Sequence, residues 1–545
     1  MMIQNPILPG FNPDPSLVRA GDDFYIATSS FEWFPGIPLY HSKDLVHWRL
    51  VRNLLPTKEY LDLTGVSASK GVWAPGLSYC EKEKRFYLIY SNVYSSNTWM
   101  FDVDNFMIWT DDIEGEWSKP VYLNSSGFDP YLFCDDDSKK WLVNKDRDFR
   151  TENISHRGIV IQEFDTEKAK LLGDPVVISY GMSERSFAEG ANIYKRDGWY
   201  YLFLSEGGTG YGHCITVGRS RSVTGPYESS PYNPVITSAA EDFAANEEMH
   251  FMMTDRYNPA MVLQKSGHGS LIETPGGEWY MSHLCGRPVM PQLRCVLGRE
   301  TSIQKMEWLS DGWLKMADGS NLAKDQVPAP DLPSHPFPAE PTRIDFKSDT
   351  LPACFCTARN EIKPEWADVS AQKEGLRLRG RNTLTSNFAV SLIARRLTAF
   401  KARFNTLVRF EPELYHHLAG ITCYYDNQSH YFAYKTCDEK TNEAFLSIYG
   451  FLCGEMHDYQ IRIEVPRSAP VYLTAEINHA ELQFTYSLDG ATYLPFGPVL
   501  DMTALSDEAG SAGIFTGTFV GVAVQDTHTK KNWAQFDYIE YMTEE

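Results

Sequence analysis

The chain has 545 residues, 43% apolar, 22% charged and 13% aromatic, with a formal net charge of −21. That length exceeds one ordinary hydrophobic core, so two or more soluble domains are expected. The negative balance argues against nucleic acid and anionic membrane as partners, because both need a basic surface, and it suits a neutral substrate.

The start, Met1-Met2-Ile3-Gln4-Asn5-Pro6, has no basic region followed by an apolar run, so no signal peptide is expected. No stretch approaches the roughly eighteen apolar residues of a membrane span. Ten cysteines are scattered along the chain, and their only close pair, Cys354-Phe355-Cys356, lacks the spacing of a zinc or redox motif. The expectation is a cytoplasmic protein with free, mostly buried thiols.

The first informative stretch is Phe11-Asn12-Pro13-Asp14-Pro15-Ser16-Leu17. Asp14 stands between two prolines, and Pro15 biases it away from the helical region. An Asp-Pro step is usually a turn; what gives this one weight is recurrence. To about residue 325 the pattern is short strands divided by Gly, Asp, Asn and Pro, which reads as all-β. A polar turn followed by an aromatic pair or near-pair returns at Phe24-Tyr25, Phe86-Tyr87, Trp141-Leu142, Tyr200-Tyr201 and Trp279-Tyr280. The first four lie roughly 55 to 62 residues apart. Five returns of this length predict a five-bladed β-propeller. Ser42-Lys43-Asp44-Leu45 before Trp48, Thr110-Asp111-Asp112 before Trp117, and Gly218-Arg219-Ser220 before Tyr227 read as outer strands of three blades. Asp135-Asp136-Asp137-Ser138 reads as a solvated hairpin turn.

Counting back 11 to 13 residues from each aromatic signature gives Asp14, Pro75, Asp129, Glu189 and His268. First strands line a propeller's channel, so three carboxylates and an imidazole are expected to meet at one end of the axis. His268 there is a candidate for holding a structural calcium ion or a water; no EF-hand spacing is present, and no cofactor is required. Phe31, in Phe31-Glu32-Trp33-Phe34-Pro35-Gly36, and Trp73 are candidates for a sugar platform, with packing between blades as the competing reading. Residues 1–321 thus form the propeller and 322–341 a proline-rich, extended linker. Residues 342–545 alternate as in Leu376-Arg377-Leu378-Arg379 and Leu482-Gln483-Phe484-Thr485-Tyr486-Ser487, the second ending at an Asp489-Gly490 hairpin signal. They predict a β-sandwich.

Two carboxylates across a pocket are the minimum set for glycoside hydrolysis, one protonated and one ionised. A third nearby carboxylate raises the pKa of the acid. Asp14 and Glu189 come from the first and fourth blades, a separation that leaves room for the attacking water of an inverting mechanism. A sugar-binding propeller without catalysis is the rival from another class; it has little use for three converging carboxylates.

The motifs then become familiar. Asn5-Pro6-Ile7-Leu8-Pro9-Gly10-Phe11-Asn12-Pro13-Asp14-Pro15-Ser16, Trp73-Ala74-Pro75, Ser205-Glu206-Gly207-Gly208-Thr209, Leu297-Gly298-Arg299-Glu300-Thr301 and Gly513-Ile514-Phe515-Thr516-Gly517 resemble β-xylosidases of glycoside hydrolase family 43 across the whole chain. The resemblance implies a propeller backed by a concanavalin-like sandwich. It implies an exo-acting, inverting enzyme on β-1,4-xylo-oligosaccharides, with α-L-arabinofuranosidase activity as the rival within the family, and a dimer or tetramer. It assigns Asp14 as general base, Glu189 as general acid with a pKa raised to roughly 6–7 by burial and Asp129, and Asp129 as the residue that tunes and orients that acid. It places Arg299 and Thr209 with the substrate, His268 on the axis, Phe31 and Trp73 in the pocket wall, and Phe515 at its mouth. Similar xylosidases often carry tryptophan where this chain has Arg147, in the leaving-group subsite.

Overall fold

A computed structural model describes residues 1–96, 100–148, 150, 158–240, 254–369, 375–510 and 515–544. Among the described residues regular structure is strand, apart from 3-10 turns at Thr254–Arg256 and Met502–Ala504. Five antiparallel meanders form the first domain. Their first strands are Ser16–Ala20, Gly71–Cys80, Gly127–Cys134, Glu189–Arg196 and Gln264–Glu273.

The aromatic repeat opens the second strand of every blade, and its physical origin is visible in the packing. Successive side chains of a strand point to opposite faces, so a pair of neighbours serves two seams at once. Phe24 packs into the seam between blades 5 and 1, and Tyr25 into that between blades 1 and 2. Phe86 and Tyr87 divide likewise between blades 1/2 and 2/3, Tyr200 and Tyr201 between 3/4 and 4/5, and Trp279 and Tyr280 between 4/5 and 5/1. The last seam closes the ring. There the N-terminal arm does a strand's work: Asn5 Nδ2 donates to the Ile303 carbonyl at 2.8 Å while Asn5 Oδ1 accepts from the Ile303 N–H at 2.9 Å.

Two expectations are corrected. The Ser42, Thr110 and Ser220 motifs are not outermost strands: each takes in the end of a third strand and leads into the turn toward the fourth, where the hydroxyl accepts a backbone N–H two residues on. Nor are all the cysteines free. Cys80 and Cys134, at the ends of the first strands of blades 2 and 3, are paired as a disulfide; 54 residues apart in sequence, they meet only because those strands are neighbours around the ring.

The linker is not a loose tether. Gln326–Pro328 pairs antiparallel with Met2–Gln4, which anchors it to the propeller. Beyond it, two sheets of nine and seven strands sandwich a large apolar core. Leu376–Arg379 alternates inside and out as the sequence suggests, Glu481–Ser487 does so as far as Phe484, and Asp489 Oδ1 accepts the Ala491 and Thr492 N–H groups of the hairpin turn. The sandwich lies flush on the propeller. Thr357–Ala358 pairs with Trp33–Phe34, Trp33 stacks on Phe519 with ring centroids 3.6 Å apart, and Phe11, Phe31 and Trp33 share one apolar cluster with sandwich residues. Glu32, wholly buried under this contact, faces Arg359 of the sandwich at 3.8 Å.

Candidate active site

Each blade's first strand bends where it reaches the axis. In blades 2 to 5 the strand register slips, between Trp73 and Gly76, Phe128 and Tyr131, Glu189 and Asn192, and Gln264 and Ser270. A residue in the left-handed region sits in each slip: Ala74 (φ 33), Asp129 (φ 52), Gly190 (φ 58) and His268 (φ 55). Asp14 (φ 55) occupies the matching place just before the first strand of blade 1. Such bulges re-aim side chains, and left-handed backbone costs a non-glycine residue of order 1–3 kcal/mol. Pro15 disfavours the right-handed helical region for Asp14, as expected, yet Asp14 stands in the left-handed region and not in the extended one that a following proline favours.

The true equivalents are therefore Asp14, Ala74, Asp129, Gly190 and His268, which corrects the earlier alignment by one residue at Pro75 and at Glu189. Blade 4 has a reason to differ. A Cβ on Gly190 would lie 2.7 Å from Ser205 Oγ and 3.1 Å from the His268 ring, so that position must be glycine, and its carboxylate is carried one residue earlier. A cavity of about 10 Å³, lined by Pro15, Ala74, Asp129, Gly190 and His268 among others, lies on the axis; it has room for about one water.

Asp14 is 6% exposed. Its Oδ2 accepts from Ser29 Oγ at 2.6 Å; its Oδ1 lies 3.3 Å from Arg299 Nη1 and 3.7 Å from His268 Nδ1. Burial alone would raise its pKa. The charges of Arg299 and His268 and the Ser29 hydrogen bond overcome that and hold it below the ordinary carboxylate range. Glu189 goes the other way. Burial pushes it up to about 7; Lys145 pulls it down, Asp14 lifts it, and Arg299 and Arg147 oppose. Asp129 Oδ2 accepts the Gly190 N–H at 3.0 Å, yet burial and the charges of Glu189 and Asp14 hold its carboxyl well above the usual range. Asp129 and Glu189 resist each other's ionisation, so the pair keeps a proton into the neutral range.

Around this floor stand the other candidates. Arg299 Nη1 donates to Thr209 Oγ1 at 2.7 Å and Nη2 to the Phe515 carbonyl at 3.2 Å. Its Nε is buried without a hydrogen-bond partner among the described residues, a donor left for a ligand. Phe515 packs 5.8 Å, centroid to centroid, from both Phe31 and Trp73. Its N–H donates to Ser69 Oγ of the propeller at 2.9 Å. Gly298 permits this approach, since a Cβ there would lie 2.2 Å from the Thr516 carbonyl oxygen. Gly513 and Ile514 of the same motif, and Phe149 beside Arg147, lie outside the described residues. Arg147 covers the Phe101 ring at 3.7 Å and Phe128 at 6.0 Å, next to Trp73.

Calcium takes six to eight oxygen ligands. Among the described residues no three His, Cys, Asp or Glu side chains converge as a metal site, and the carboxylate nearest His268 is engaged by Arg299 and Ser29. No step below runs through an ion.

Sequence reasoning passed over Lys145 and Ser29, although each lies two residues before a residue it singled out, Arg147 and Phe31. It also passed over His213, whose ring is buried against Gly267, next to His268, and whose pKa burial pushes down to about 3. No spacing rule marks these residues: Lys145 and His213 meet their partners on other blades, and Ser29 reaches Asp14 only through the fold of its own blade.

The comparisons with known proteins agree with this architecture. Residues 3–314 match the model of glycosyl hydrolases family 43, and residues 343–542 that of the beta xylosidase C-terminal concanavalin A-like domain. A xylan 1,3-beta-xylosidase of a Vibrio species is 40% identical, covering 99% of both chains, and xylosidase/arabinosidase 43B of Humicola insolens is 41% identical, covering 99% of this chain and 97% of its own. The crystal structure of xylan beta-1,4-xylosidase from Bacillus halodurans superposes with a TM-score of 0.93 at 43% identity, covering 99% of this chain and all of that one. The chain belongs to glycosyl hydrolase family 43.

Proposed function

We propose that the protein is an exo-acting, inverting β-xylosidase that removes D-xylose from the non-reducing ends of β-1,4-xylo-oligosaccharides. One observation carries this reading: on a single pocket floor Asp14 is held ionised while Glu189 is held protonated. Asp14 takes a proton from a water as it attacks the anomeric carbon, and Glu189 gives its proton to the departing glycosidic oxygen. The base and the acid come from blades 1 and 4, with His268 of blade 5 between them, which supports a separation wide enough for that water. Arg299 Nε is the donor left to a sugar hydroxyl. The sandwich, through Phe515, walls the pocket against longer substrates, which favours cutting from a chain end.

The linkage and the sugar are the finer points. Relatives of nearly equal identity are named for β-1,3 and β-1,4 xylan, and a third is named xylosidase/arabinosidase. Proton NMR of fresh hydrolysate from xylobioses of both linkages should show α-xylose first, with the β-1,4 dimer cleaved faster; β-xylose appearing first overturns the mechanism. Aryl β-D-xyloside and aryl α-L-arabinofuranoside assayed side by side separate the two activities.

A further inference from the structure

The proposed chemistry leaves unused a wholly buried ionic cluster at the domain boundary. Lys265, on the first strand of blade 5, places Nζ 2.6 Å from Glu508 Oε1 and 3.2 Å from Asp507 Oδ2, both from the sandwich; Lys265 and Asp507 are 0% exposed and Glu508 5%. Burying three charges costs several kcal/mol per ion, and apolar residues of similar size stabilise an interface as well or better. Stability alone is thus a poor reason for the cluster. Its outer contacts suggest another.

Glu508 Oε2 accepts the Cys295 N–H at 2.9 Å, four residues before Arg299. Asp507 Oδ1 accepts from the Tyr425 hydroxyl at 2.6 Å. That hydroxyl accepts the Thr516 N–H at 2.9 Å, while Thr516 Oγ1 donates to the Tyr425 carbonyl at 3.1 Å. Thr516 follows Phe515, whose carbonyl takes Arg299 Nη2. On the propeller side, the Lys265 carbonyl pairs with His213 Nδ1 at 3.1 Å, and His213 packs against Gly267. The cluster therefore grips both ends of the sugar-binding wall, Phe515 through Tyr425 and the His268 strand through Lys265.

We infer that Lys265, Asp507 and Glu508 are positioning residues for the xylosyl subsite, acting through Tyr425 on the Phe515–Thr516 segment and so on Arg299. This rests on the glycosidase reading above. Tyr425→Phe removes the connecting hydroxyl and leaves the ionic cluster intact, so it tests the coupling without the folding risk of Lys265→Met. On aryl β-D-xyloside, Tyr425→Phe and Asp507→Asn should each raise KM about 5- to 20-fold and lower kcat less than about 3-fold. Because both break one path, the double variant should be no worse than the more severe single one. D-xylose binding, titrated calorimetrically in an Asp14→Asn background, should weaken by the same factor. That measurement needs no turnover, so it judges the inference separately; wild-type protein that fails to cleave any aryl glycoside would overturn only the activity. A fall in Tm with KM and xylose affinity unchanged, or KM effects that multiply in the double variant, would show that the cluster merely joins the domains, and the inference would be wrong.

Discussion

Asp14 and Glu189 stand at the axial ends of the first strands of blades 1 and 4, yet their surroundings drive them apart. Asp14 is met by a guanidinium, an imidazole and a hydroxyl, all within 3.7 Å. Glu189 has burial as its largest influence and three cations, Lys145, Arg299 and Arg147, that only temper it. Desolvation is the leading effect at both sites, and the number of close polar partners decides which carboxyl ionises first. Acid and base are thus assigned by neighbours rather than by residue type.

Removing the base should break the contrast most severely. Asp14→Ala should lower kcat by about 10⁴-fold on both xylobiose and an activated aryl xyloside, the upper range for general base catalysis, because no leaving group replaces the activated water. Glu189→Ala should cost about 10²- to 10⁴-fold on xylobiose, and much less on an aryl xyloside whose phenolate departs without a proton. Equal damage on the two substrates would mean that the roles are reversed.

The pH profile sharpens the comparison. With Asp14 as the base and Glu189 as the acid, as proposed, kcat/KM should rise at a pH below the ordinary aspartate range and fall near pH 7. Lys145 favours the ionised form of Glu189, so Lys145→Met should move the alkaline limb upward. Asp129→Asn removes a like-charged neighbour and should move it downward, with a loss of rate; shifts of the same sign in the two variants would contradict this electrostatic account. The smallest effect is expected from Arg147→Trp. It should move the alkaline limb in the same direction as Lys145→Met but less, and change KM for xylobiose a few-fold while leaving that for the aryl substrate nearly unchanged.

Much of this was legible in the sequence for one physical reason. The aromatic pair is forced on every blade by the need to fill two seams, so blade number and channel-lining strands follow from counting. The carboxylates follow from the same count to within one residue. The slip at Gly190 was invisible, because the close approach of Ser205 and His268 that demands glycine is set by folding. Lys145 and the Cys80–Cys134 pair were missed for the same reason: each acquires its partner across a blade boundary. Phe515 was placed by family resemblance alone, since nothing in its local pattern distinguishes it from an ordinary core aromatic.

The pocket assembled from both ends of the chain has a consequence during synthesis. Asp14 leaves the ribosome about 500 residues before Phe515, an interval of about 25–100 s at 5–20 residues per second. Through that interval the surface holding Phe11, Phe31 and Trp33 is uncovered, and Glu32 and Lys265 await Arg359 and Asp507. A chain halted at the linker presents an adhesive, charge-unbalanced face to its neighbours. A chain that stops near residue 341 should therefore be less soluble than the full protein, its apolar face and its unpaired charges having lost the sandwich that covers them.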